Sequence, residues 1–182
     1  MPGPVFLRGE TVDLHAVTED DLDFLARGRN DPAIRHWMSR TEPQSPATDR
    51  ESLARFLSTG GRDAAFVVCA DGEPVGFVSL FDVAPDAGRG ELAAWFLPAE
   101  QGEGYGTEAV SMVVDYAFDE RRLHRLYGGA RADNDASRAL VETLGFVEEG
   151  RQRDHYYVAG ERVDRVFYGL LKEEWDEIQA TA

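Results

Sequence analysis

The chain has 182 residues, 43% of them apolar, with 34 acidic against 19 basic side chains and a net charge of −15. That length carries one domain with its own core, residues 1–182. The charge excludes nucleic-acid binding through a broad basic face, and no apolar run approaches the ~18–20 residues that span a membrane. Lys172 is the single lysine among many arginines. Such an acidic composition fits either a salt-loving source, whose cytoplasm screens the self-repulsion, or a GC-rich genome. The first residues show no basic start followed by an apolar block, and the single cysteine, Cys69, allows no disulfide within one chain. A cytoplasmic location is therefore expected, with Cys69 as a small buried hydrophobe.

The segment FLRGETVDLHAV alternates apolar and polar residues and reads as a first strand. Thr18 is placed to cap TEDDLDFLARGRN, whose first turn carries acids where the helix dipole favours them. Asn30-Asp31-Pro32 ends that helix, and PAIRHWM is a second, short one. Thr48 or Asp49 then caps RESLARFLS, which is expected to stop at Gly60-Gly61. AAFVVCA and EPVGFVSLFDV are strands joined by an Asp71-Gly72 hairpin turn, and GELAAWFLP is a third strand, ended by Pro98.

Ala109, Met112, Val113, Tyr116 and Ala117 repeat at helical spacing. LHRLYGGARA is a strand. NDASRALVETLGF is a short helix with Gly145 at its C-terminal cap. FVEEGRQRDHYYV and ERVDRVFYGLL are closing strands around Ala159-Gly160. This order is that of a mixed α/β, or α+β, single domain.

The stretch QGEGYGTEAV, Gln101 to Val110, sets three glycines just before a helix. Glycine costs conformational entropy, so a buried anion, a tight turn or a close backbone crossing must offset it. The first helical N–H groups can hold phosphate oxygens at the positive end of the helix dipole. A P-loop needs a lysine that is missing here. The dinucleotide fingerprint needs a third glycine where Thr107 stands. A plain glycine-rich turn stays open on this stretch alone.

One pattern does fit: Q/R-x-x-G-x-G/A, with Gln101, Gly104 and Gly106. Together with WFLP upstream, NDASRALVETLGF downstream, NDP near residue 31 and the terminal FYGLLKEEW, it makes the chain resemble the GCN5-related N-acetyltransferases (GNAT). The resemblance is to the branch that acetylates ribosomal-protein N-termini, and it spans Leu7 to Trp175. It implies a mixed, largely antiparallel sheet of about seven strands flanked by four or five helices. It implies acetyl-CoA as acetyl donor, no metal, and direct transfer to a primary amine, either a protein N-terminus or a small molecule, within a ternary complex. A homodimer is a further expectation, with the final strands as its site. A GNAT-fold module that binds acyl-CoA with little turnover is the alternative.

By the same resemblance, Phe96 and Leu97 pair with the pantetheine arm. Gln101, Gly102, Glu103, Gly104, Tyr105, Gly106 and Thr107 hold the pyrophosphate. Asn134, which also reads as a plain helix cap, contacts the arm. Ser137 faces the CoA sulfur, while Val141 stands where many members carry a tyrosine acid. Glu91 is either the base or a solvated strand-end carboxylate. His155, between Asp154 and Tyr156, is a second candidate base or a structural residue. Trp37 and Met38 line the acceptor cleft, unless Trp37 is core. No His/Cys/Asp/Glu spacing reads as a metal site.

Overall fold

The computed structural model describes residues 2–38, 41–57 and 61–181, with the backbone alone for 55–57. Its strands are β1 (Val5–Arg8), β2 (Asp13–Ala16), β3 (Ala64–Ala70), β4 (Glu73–Ala84), β5 (Arg89–Phe96), β6 (Arg125–Arg131), β7 (Val147–Val158) and β8 (Glu161–Leu171). They form one sheet in the order β1-β2-β3-β4-β5-β6-β8-β7. Neighbours are antiparallel except β5 and β6, which run parallel. The first alternating segment is a hairpin, not the single strand its pattern suggests. Gly9 donates its N–H back to the Val12 carbonyl at 2.9 Å and turns the chain. That break makes eight strands of the expected seven. Asp71 and Gly72 both adopt positive φ, 49° and 80°, as the expected hairpin turn requires.

The helices are α1 (Leu22–Asn30), α2 (Pro32–Trp37), α3 (Pro46–Leu57), α4 (Tyr105–Asp115), α5 (Asp135–Thr143) and α6 (Lys172–Gln179). Helix α3 starts earlier than expected. Ser45 Oγ, not Thr48 or Asp49, caps it by accepting the Thr48 N–H at 3.2 Å. Asp49 instead lies buried, paired with Arg29 of α1. The expected stop at Gly60-Gly61 falls partly outside the described residues. Helix α6 has no counterpart among the expected elements. It is anchored by Trp175, whose indole N–H donates to Asp115 Oδ1 at 2.7 Å.

Strand alternation sorts side chains onto two covered faces. On one face Leu14, Val68, Leu80, Leu126, Val166 and Leu170 pack under α4, α5 and α6. On the other Val67, Cys69, Phe77 and Trp95 pack under α1 and α2 with Phe24, Leu25 and Ile34. Burial, with the charges of Asp21, Asp13 and Glu73, pushes the Cys69 thiol up to about 11, so it stays protonated. No described helix is long and apolar enough to cross a membrane.

Helix α1 comes this close because Gly28 has no side chain. A Cβ there would lie 2.2 Å from Trp95 Cη2. Gly28→Ala is expected to destabilise by about 1–3 kcal/mol through overpacking, read as a lower denaturant midpoint.

Candidate active site

The parallel pair β5–β6 is short. It is joined only at Arg89–Arg125, Gly90–Leu126 and Glu91–Tyr127. Beyond Glu91, β5 bonds only to β4, and beyond Tyr127, β6 bonds only to β8. The sheet thus splits in its middle. Ala93, Ala94 and Gly129, all in strands near its centre, are exposed along the split. The β5 backbone groups that face the split have no strand to pair with, and an extended ligand carrying amides can supply one.

At the open end of the split, the Phe96 backbone carbonyl is held by the Gln101 side chain, whose Nε2 donates to it at 3.1 Å.

 The Leu97 N–H is held in turn by the Val75 carbonyl at 2.9 Å. Gly102 and Gly104 adopt left-handed φ of 91° and 85°, which only glycine takes cheaply, and Gly104 caps α4. Among the described residues no acceptor takes the N–H groups of residues 102–107, namely Gly102, Glu103, Gly104, Tyr105, Gly106 and Thr107. The first one taken is that of Glu108, by the Gly104 carbonyl at 3.1 Å. A loop with this many free donors at a helix N-terminus suits phosphate oxygens.

Gly106 has a different reason from its neighbours. A Cβ there would lie 3.3 Å from Phe96 Cε2 and 3.6 Å from Leu140 Cδ1, so its bareness lets α4 close on Phe96. Glu108 then ties α4 to the β1–β2 turn. Its carboxylate accepts the Thr11 N–H at 3.0 Å and also bonds the Thr11 hydroxyl. Burial acts to raise the Glu108 carboxyl, but those hydrogen bonds win and hold it below its ordinary range.

Across the split, Asn134 caps α5, accepting the Ser137 N–H on Oδ1 at 3.1 Å. Ser137 is half-buried in the first turn of that helix.

On the face under α1 and α2, alternation brings together Glu91 of β5, Tyr127, Gly129 and Arg131 of β6, and Arg165 of β8. Glu91 is half-buried, and Arg165 Nη2 donates to its Oε1 at 3.0 Å. Burial pushes the Glu91 carboxyl up, and the Arg165 charge opposes it without cancelling it. Arg89 lies 3.1 Å from Asp82, and Tyr127 donates its hydroxyl to the same carboxylate. Burial and Asp82 push the Tyr127 phenol up to about 12.

Arg131, nearly fully buried, donates to the His36 carbonyl at 2.7 Å and to Asp133, and lies over the Trp37 ring at 5.0 Å. Trp37 is exposed at the end of α2, not core, while Met38 packs against the cluster around Trp95.

The structure therefore gathers Glu91, Trp37 and the paired arginines on one side of the split, and the 101–107 loop, Asn134 and Ser137 at its open end. His155 stands exposed on the outer strand β7, its ring 4.6 Å from that of Tyr156. No described contact links it to Glu91. Among the described residues no cluster of three or more His, Cys, Asp or Glu could hold a metal ion. Arg165, Gly129, Tyr127 and Arg131 escape the sequence reading. The one signal for them is Gly128-Gly129 inside a strand, which marks a close approach.

Residues 12–147 match the family described as Acetyltransferase (GNAT) domain. YdaF of Bacillus subtilis (strain 168), provisionally named a ribosomal N-acetyltransferase, is 33% identical over 154 residues, covering 81% of this chain and 83% of its own. Spermidine N(1)-acetyltransferase of Vibrio cholerae is 27% identical over 153 residues, covering 83% and 87%. The solved structure of a Vibrio cholerae spermidine N-acetyltransferase with CoA and spermine superposes with a TM-score of 0.85. It is 23% identical and covers 92% of this chain and 99% of its own, a likeness of fold.

Proposed function

The chain belongs to the GNAT acetyltransferase family and is an acetyl-CoA-dependent N-acetyltransferase, and from that premise we propose that it acetylates the N-terminal amine of a protein directly, within the split between β5 and β6. One observation carries the reading. The split has an exposed floor, N–H groups at its open end that no described residue engages and a half-buried carboxylate at its apex.

The residues present fit the donor. The N–H groups of 102–107 suit the pyrophosphate, and the β5 edge beyond Glu91, which pairs with no strand on the side of the split, suits the pantetheine amides. Bound acetyl-CoA supplies an activated thioester, so the enzyme needs to position, deprotonate and protonate. Glu91 takes the proton that keeps the incoming amine cationic. As the C–N bond forms and the C–S bond breaks, the proton shed by nitrogen balances the one gained by sulfur. Ser137 is placed in α5 to give that proton from Oγ, with solvent restoring it. Cys69, protonated and buried, takes no part.

The choice of acceptor follows from charge pairing. Glu91, Asp82 and Asp133 on the acceptor side each face an arginine: Arg165, Arg89 and Arg131. None of these three is left over for the extra ammonium groups of a polyamine, whereas a peptide N-terminus brings a single amine. Thiol release from acetyl-CoA is expected to have a higher kcat/KM with short peptides bearing a free N-terminus than with spermidine. Preference for spermidine, or no release with any peptide, would sink this choice of acceptor.

A further inference from the structure

We infer that Arg165 is a positioning residue for Glu91, reaching it across a gap that Gly129 keeps open. The inference rests on Glu91 as the base. Arg165 extends from β8 over β6 to a carboxylate on β5. It crosses at Gly129, where a Cβ would lie 2.3 Å from Arg165 Nε and 2.7 Å from Nη2. Any side chain at 129 therefore displaces the guanidinium. Phe167 lies beneath it, 4.6 Å from ring centroid to Cζ, and limits how it can turn.

Stability alone does not explain this placement. Arg165 Nε is buried with no acceptor among the described residues, which is a cost. An ion pair whose partners are 24% and 19% exposed returns little. The arrangement does have a use in proton transfer. The groups facing Glu91 are Arg165 from β8, Tyr127 from β6, Asp82 from β4 and Arg89 two residues back on β5. Arg89 and Tyr127 are both engaged with Asp82. Arg131 and Asp133 pair with each other at the far tip of β6. Arg165 is thus the cation committed to Glu91. Burial and the Asp82 charge favour a protonated Glu91, and Arg165 opposes them. Without it the carboxylate keeps its proton to higher pH, and below that pH it cannot accept one from the amine.

The test is kcat/KM against pH for the full chain with acetyl-CoA and a free-N-terminus peptide. Wild type should lose activity toward acid through one limb. Arg165→Gln and Gly129→Val should each move that limb up by about one pH unit. Arg165→Lys, which keeps a charge, should bring it back toward wild type. Acetyl-CoA-induced thermal stabilisation shows that each variant is folded, and Gly129→Val carries the comparison if Arg165→Gln is not. A limb unmoved in the folded variants, while Glu91→Gln removes it, overturns the role of Arg165 and leaves Glu91 as base. A limb that persists in Glu91→Gln overturns both.

Discussion

Glu91→Gln is expected to lower kcat by about 10²- to 10⁴-fold, the usual worth of a positioned general base. The amide is nearly the same size and still accepts from Arg165, but it cannot take a proton. Acetyl-CoA affinity should be unchanged, because the donor contacts proposed above, in the 101–107 loop and along β5 beyond Glu91, lie toward the open end of the split and not at Glu91 itself. Stopped assays of thiol release, together with acetyl-CoA titration by thermal shift, separate the two effects. Equal loss of binding and turnover would mean that Glu91 holds the site together rather than moving a proton. The pH direction follows from its surroundings. Burial raises the carboxyl, so wild-type activity should fail, on acidification, above the ordinary glutamate range.

Gly104→Val is expected to have the second large effect, on the donor alone. Gly104 sits at φ 85°, ψ −10°, a left-handed conformation that a β-branched residue resists. There is open space around it, so the penalty comes from the backbone and not from a clash. Relieving that strain turns the N–H groups of the loop away from a common focus. Acetyl-CoA affinity should weaken at least about tenfold, equivalent to about 1.4 kcal/mol. Calorimetric titration reads it directly. A variant that melts earlier yet binds acetyl-CoA as tightly as wild type would remove the loop from the donor site.

Most of the element order was legible because those elements are marked locally. Asp71-Gly72 and Ala159-Gly160 turn hairpins, Gly145 ends α5, and the α4 stripe repeats at helical spacing. The glycine-rich turn into α4 was legible for the same reason, since its glycines and the helix N-terminus are contiguous. What escaped was non-local or faint. Helix α6 has little apolar surface beyond Trp175 and Ile178 to announce it. Gly9 breaks an alternation that otherwise runs on. The acceptor side is assembled from β4, β5, β6 and β8, with Glu91 and Arg165 separated by 74 positions. Only strand pairing brings them together. Within β8, Val166, Tyr168 and Leu170 face the α4 side, which sends Arg165 the other way. That orientation has meaning only once β6 is known to lie between β8 and β5.

The placement of the donor is tested most directly by amide hydrogen exchange with and without acetyl-CoA. The N–H groups of 102–107 have no acceptor within the described residues, so they should exchange freely in the free protein. On adding acetyl-CoA their exchange should slow, along with that of the β5 residues facing the split. Acetyl-CoA that binds while leaving exchange in 102–107 unchanged would contradict a donor site between β5 and β6.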